Sequence, residues 1–179
     1  YVADITGDGK EEAIVWYDHN KLRIKGETCD FIATIASGTL KIGDFNGDGK
    51  VDILVINNSF TGEYRIYEYS AVSENLVESL HETNNNVAGA LAVGDFNGDG
   101  VSDLLCNNNS YSVSFGSNNK FPTSISIDYY NDTGNPNQNP TPPVVVDLNG
   151  DGKDDLIGFN RIIGLRCTYY INCGYVNNK

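Results

Sequence analysis

The chain of 179 residues has no methionine, one tryptophan and two histidines, His19 and His81. It has only 12 Lys and Arg against 24 Asp and Glu, which gives a net charge of −12. Binding to phosphate backbones needs clustered basic side chains, so nucleic acid is excluded as a partner. No apolar run approaches the ~18–20 residues of a membrane-spanning helix. Hydrophobic residues are nonetheless 40% of the chain and charged residues 20%, which excludes a disordered tail. Proline is missing everywhere except between residues 121 and 144, where all five copies lie. Gly-x-Ser-x-Gly, His-Glu-x-x-His and the phosphate-loop pattern are all absent, and neither histidine has a nucleophile in a recognisable motif. The reading is therefore of a non-enzymatic protein. With no leader and Tyr1 at the start, it reads as a processed chain or as a piece of a longer one.

What the chain does have is one nine-residue pattern, four times over. The copies are Asp4-Ile-Thr-Gly-Asp-Gly-Lys-Glu-Glu12, Asp44-Phe-Asn-Gly-Asp-Gly-Lys-Val-Asp52, Asp95-Phe-Asn-Gly-Asp-Gly-Val-Ser-Asp103 and Asp147-Leu-Asn-Gly-Asp-Gly-Lys-Asp-Asp155. Their first residues are spaced by 40, 51 and 52. Acids at positions 1, 5 and 9 of each copy make twelve of the 24, and the remaining twelve equal the 12 Lys and Arg.

Three carboxylates within nine residues repel one another unless a cation lies among them. The side chains at positions 1, 3, 5 and 9 are hard oxygen donors, and position 7 can offer its backbone carbonyl. The glycine at position 6 permits a sharp turn. Such a set suits Ca²⁺ and disfavours zinc or copper, while Mg²⁺ gives up its waters reluctantly. The candidate ligands are Asp4, Thr6, Asp8, Lys10 and Glu12; Asp44, Asn46, Asp48, Lys50 and Asp52; Asp95, Asn97, Asp99, Val101 and Asp103; and Asp147, Asn149, Asp151, Lys153 and Asp155. The lysines and Val101 enter through their backbone carbonyls. Up to four Ca²⁺ would take the net charge from −12 to −4. Thr6 replaces an amide with a neutral, weaker oxygen, so the first loop is expected to be the weakest site or vacant.

An EF-hand needs an acid at position 12 and helices on both sides. Position 12 here is Val15, Val55, Cys106 or Gly158. The flanks are short and rich in β-branched residues, as in Leu40–Gly43, Ile53–Ile56, Leu91–Gly94, Leu104–Cys106 and Val144–Val146. Further strands are expected at 13–17, 21–25, 31–35, 64–69, 75–78, 111–115, 124–128, 156–157, 162–166 and 168–171. About four strands per ~50 residues reads as all-β blades of a propeller, in approximate repeats 1–39, 40–90, 91–143 and 144–179.

The stretches Ile42-Gly-Asp-Phe-Asn-Gly-Asp-Gly49 and Val93-Gly-Asp-Phe-Asn-Gly-Asp-Gly100 resemble the FG-GAP/VCBS repeats of integrin α-subunits and many surface proteins. The Gly-Ala-Pro half of the family's pattern is missing, and only Phe115-Gly116 matches the other half. Seven blades are usual in that family and this chain holds about four, either as part of a larger ring, as a small ring or as an open stack. The resemblance implies an extracellular, calcium-stabilised module for cell-surface adhesion or assembly, with a protein or glycan partner. Alternatives are a lectin-like propeller, or an accessory propeller of a larger enzyme or toxin.

Four cysteines (Cys29, Cys106, Cys167 and Cys173) suggest at least one disulfide, with Cys167–Cys173 a local option and Cys106 equally suited to a buried thiol. Glycosylation sequons stand at Asn57, Asn108 and Asn131. The polar stretch 131–143 reads as a long connector. Most aromatic residues, Trp16 among them, are expected in core and inter-blade packing.

Overall fold

A computed structural model describes residues 1–57, 61–108, 111–127, 144–159 and 167–170. It is all-β, with one single-turn 3-10 segment at Asn85–Val87. The strands form four antiparallel sheets in chain order. Blade 1 comprises β1 (Val2–Ala3), β2 (Glu12–Asp18), β3 (Lys21–Lys25) and β4 (Asp30–Thr34). Blade 2 comprises β5 (Thr39–Gly43), β6 (Asp52–Ile56), β7 (Glu63–Ser70) and β8 (Asn75–Thr83). Blade 3 comprises β9 (Ala90–Gly94), β10 (Asp103–Asn107), β11 (Tyr111–Ser117) and β12 (Lys120–Ser126). Blade 4 comprises β13 (Val144–Val146), β14 (Asp155–Phe159) and β15 (Cys167–Tyr170).

Each nine-residue loop joins the first two strands of its blade, as the flanking patterns require. The pairings Ala3↔Glu12, Gly43↔Asp52, Gly94↔Asp103 and Val146↔Asp155 close the loop in every blade. Position 9 is thus the first residue of the second strand. The sequence reading left out the short β1, ended β8 five residues early and placed β12 too late. The expected strand at 162–166 and the connector at 131–143 lie outside the described residues.

Consecutive blades share apolar cores. Ile14, Leu22, Ile24 and Ala33 of blade 1 meet Leu40, Ile53, Val55 and Tyr67 of blade 2. Leu54, Ile56, Tyr64 and Ile66 on the other side of blade 2 meet Leu104 and Cys106 of blade 3. Leu105 and Val113 of blade 3 meet Leu156 of blade 4. This explains the unbroken apolar run 53–56: β6 packs on both faces, and all five of its residues are buried. Each such side chain contributes about 1.5–3 kcal/mol through burial. In β2 burial alternates instead and then stops, and among the described residues no sheet packs on the face that carries Ala13 and Val15. Trp16, expected in the packing, is 42% exposed although it lies on the same strand face as the buried Ile14. Position 2 of the first three loops folds back into these cores, with Ile5, Phe45 and Phe96 each at most 4% exposed, whereas Leu148 of the fourth is 49% exposed.

Candidate functional site

The four loops share one local structure. The carboxylate at position 1 accepts hydrogen bonds from three backbone amides. In the second loop these are Gly47 N and Asp48 N on Asp44 Oδ1, at 2.7 and 3.2 Å, and Gly49 N on Asp44 Oδ2 at 2.7 Å. Asp4, Asp95 and Asp147 accept the equivalent sets. Position 5 accepts from the amide at position 7, through Asp8, Asp48, Asp99 and Asp151. The position-3 amides Asn46, Asn97 and Asn149 each accept from the position-5 N–H at 2.8 Å. Presenting amides inward in this way requires left-handed backbone at positions 4 and 6, met by glycine in every copy, as at Gly47 (φ 82°) and Gly49 (φ 81°). The sequence reading explained only position 6. The signal for position 4, a glycine in all four copies, was present but unused.

Position 9 behaves differently from the other acids. Glu12, Asp52, Asp103 and Asp155 are at most 2% exposed, and each accepts the amide of position 2 (Ile5, Phe45, Phe96 or Leu148) at 2.9–3.1 Å. Asp103 also accepts from Gly116 N at 2.8 Å. Burial, reinforced by neighbouring carboxylates, pushes Asp52 and Asp103 up to about 7, against the pull of those amides. Asp147, facing solvent and holding three amides, is shifted below the ordinary aspartate value, with the Gly152 amide as the largest cause. Asp8 is lowered too, chiefly by the Thr28 hydroxyl, which donates to it at 2.7 Å.

The first loop is the most convergent, although Thr6 made it the expected weakest. One oxygen each of Asp4, Asp8 and Glu12 lies within 4.8 Å of the others, and among the described residues no other such group of three acids occurs. Glutamate is a methylene longer than the aspartate of the other copies, so its carboxylate reaches further into the loop. Its Oε2 takes the Ile5 and Thr6 amides, while its buried Oε1 has no hydrogen-bond partner. In the fourth loop Asp155 Oδ1 is likewise buried without a partner. Buried carboxylate oxygens of this kind are costly unless something positive meets them. The donor set, all oxygen and mostly anionic, fits a hard divalent cation.

Residues outside the nine-residue pattern complete the loops. Thr28 and Gly26 stand over the first, where a Cβ on Gly26 would lie 2.8 Å from Glu12 Oε1. Glu68 stands over the second and accepts Asn46 Nδ2 at 3.3 Å and Asn119 Nδ2 of the next blade at 2.6 Å. No pattern in the sequence pointed to these residues.

Among the described residues no disulfide forms, and of the two options given for Cys106 it is the buried thiol that the structure shows. Cys29 and Cys106 are free thiols, in different blades, and Cys106 is 1% exposed. Cys173 lies outside the described residues. Of the sequon residues, Asn57 donates its side-chain amide to Glu63 at 3.0 Å, and Asn131 is outside the described residues. No helix among the described residues is long and apolar enough to cross a membrane.

Antiparallel sheets of three or four described strands stacked in sequence, each with an acidic loop between its first two strands, define a β-propeller-type repeat module. Residues 44–106, from the second loop to the second strand of blade 3, match the family model described as FG-GAP-like repeat. No curated protein and no solved structure matches the chain.

Proposed function

We propose that this chain is a calcium-binding, non-enzymatic blade module that works outside the cell as a scaffold for adhesion or assembly. The side chains at positions 1, 3, 5 and 9 and the carbonyls of Lys10, Lys50, Val101 and Lys153 would hold the ion. Its contribution is charge neutralisation: it satisfies oxygens that otherwise repel and links the two strands that each loop joins. The observation that carries this reading is Glu12, fully buried, with one oxygen lacking any partner beside Asp4 and Asp8. Binding free energy at such loops becomes folding free energy. An extracellular setting, where Ca²⁺ is millimolar, would keep loops of moderate affinity filled.

The test is a thermal melt followed by circular dichroism. EDTA lowers the melting temperature, and millimolar Ca²⁺ restores it more fully than equal Mg²⁺. An unchanged melt on chelation refutes the metal role.

A second reading, a glycan-binding module, draws on the depression lined by Trp16, Tyr17, Asp18, His19 and Gly38. Exposed aromatic faces beside a carboxylate suit sugar stacking. A glycan array distinguishes the two, since a pure scaffold leaves it blank.

A further inference from the structure

Three of the four loops carry the dipeptide Asn-Gly at positions 3 and 4, as Asn46-Gly47, Asn97-Gly98 and Asn149-Gly150, and it occurs nowhere else in the chain. The first loop has Thr6-Gly7 instead. An asparagine followed by glycine is prone to lose its side-chain amide. The glycine has no side chain to hinder attack by its own nitrogen, and its backbone turns freely. Burial does not protect these pairs, because Gly47, Gly98 and Gly150 are all exposed to water.

Hydrogen bonds restrain them instead. The nitrogen that would attack is committed as a donor in each loop: Gly47 to Asp44 Oδ1, Gly98 to Asp95 Oδ1 and Gly150 to Asp147 Oδ1, all at 2.7 Å. The carbonyl that would be attacked is committed as an acceptor, taking Asp48 N on Asn46, Asp99 N on Asn97 and Asp151 N on Asn149, all at 2.8 Å. Neither partner can turn toward the other without breaking its bond. The bond to the carboxylate is charge-assisted and is the stronger of the two.

We propose that Asn46, Asn97 and Asn149 are latent deamidation sites, each held closed by the carboxylate at position 1 of its loop. Once that bond opens, the glycine nitrogen forms a bond to the asparagine Cγ and the Cγ–Nδ2 bond breaks. The proton of the glycine nitrogen leaves with the amide group as ammonia. One water molecule then opens the cyclic imide, and no other reactant is needed. Opening at Cγ gives aspartate, which adds an acid to the loop. Opening at the main-chain carbonyl gives isoaspartate, which routes the backbone through the side-chain methylene and lengthens it just before the left-handed glycine. Each event adds one negative charge, so all three take the net charge from −12 to −15. The first loop, with Thr6, is immune. The restraint consists of hydrogen bonds alone, so this inference goes beyond the calcium reading and does not rest on it.

The test holds the full chain at mildly alkaline pH in constant Ca²⁺, with and without urea, and follows each site by peptide mapping with mass spectrometry. All three sites should deamidate at least about tenfold more slowly in the folded chain than in the unfolded one. Asp95→Asn should speed the reaction at Asn97, and Asp147→Asn at Asn149, with Asn46 unchanged in both. Equal rates in the folded and unfolded chain overturn the proposal. So does a site that ignores the loss of its own position-1 acid. Acceleration at Asn46 in either variant also overturns it, since the fold as a whole would then be the restraint. Failure of the calcium reading would appear separately, as an EDTA-insensitive melt.

Discussion

The buried position-9 aspartates make the stability of the protein depend on pH in a way that calcium should invert. Asp52 and Asp103 each have a carboxylate pushed from 3.8 to about 7, mainly by burial. Between these values the folded, metal-free chain holds a proton that the unfolded chain has released. By linkage, the stability this proton confers is complete below about pH 4 and is lost as the pH rises through about 7. At 1.36 kcal/mol per pH unit the ceiling is about 4 kcal/mol for each group. Water entry and backbone relaxation reduce this, and at about 1 kcal/mol each the two groups still move Tm by about 4–8 °C in a domain of this size. A cation needs the same oxygens ionised, so the stabilisation it brings grows over the same interval.

The assay is a set of melts from about pH 5.5 to 8, each with EDTA and with millimolar Ca²⁺. The chelated protein should lose Tm as pH rises, and the gap between the two conditions should widen. General repulsion among acids gives a slope of the same sign, so Asp103→Asn is the control. Its neutral side chain keeps the volume but cannot titrate, and the chelated slope should fall by roughly half, whatever the absolute Tm. A slope unchanged by Asp103→Asn, or a chelated Tm that rises with pH, refutes the reasoning.

Three further outcomes are expected. Glu12→Gln keeps the shape of the first loop but removes its buried charge; calorimetric titration should lose one calcium site or weaken it at least about tenfold, and an unchanged isotherm sinks the role given to Glu12. Gly49→Ala meets nothing within 4 Å, so it carries only the strain of its φ of +81°, about 1–2 kcal/mol; at Gly116 the new Cβ would fall 2.3 Å from Ser102 O, costing about 3 kcal/mol or more. Denaturant melts check that order, and equal losses contradict it. The buried Cys106 thiol, pushed up to about 12 by burial, should resist alkylation in the folded protein near pH 8 and react only on unfolding, as a mass-spectrometric time course can show.

The fold was legible because the loops recur. A single Asp-x-Asn-x-Asp-Gly is consistent with an ordinary turn, but four copies beside β-branched runs place the loop at the start of each blade's second strand. Strand length away from the loops was less legible: β8 runs to Thr83 because its outer residues pair with β7, and Glu82 opposite Tyr64 carries no apolar signal. Within the site, position 9 looked like one more ligand in a row. Its burial and its bond to the position-2 amide follow from its place at the start of a strand packed between blades, which spacing alone does not convey. How closely the oxygens of each loop converge was not legible from composition either. Thr6 weakens one donor, but the added methylene of Glu12 and the turn bearing Gly26 and Thr28 bring carboxylate oxygens together, and that turn is about 20 residues away in sequence.

The loops also touch one another across the blade boundaries. Ser102 N donates to Asp44 O at 2.6 Å, and Asp154 N donates to Asp95 O at 2.8 Å, so position 8 of one loop is bonded to position 1 of the loop before it. Asp154 adds its side chain, which accepts from Asp95 N at 2.8 Å. Position 7 lies over the position-4 glycine of the preceding loop: Lys50 over Gly7, Val101 over Gly47 and Lys153 over Gly98. In the second and third loops, the residue whose carboxylate organises the loop is therefore also the residue whose carbonyl anchors the next blade. A cation that fixes Asp44 or Asp95 fixes the acceptor for the following sheet, and its effect is not confined to its own blade. Removing one acid at position 1 should then loosen two blades in hydrogen exchange, its own and the next, whereas removing an exposed acid at position 5, such as Asp99, should loosen one.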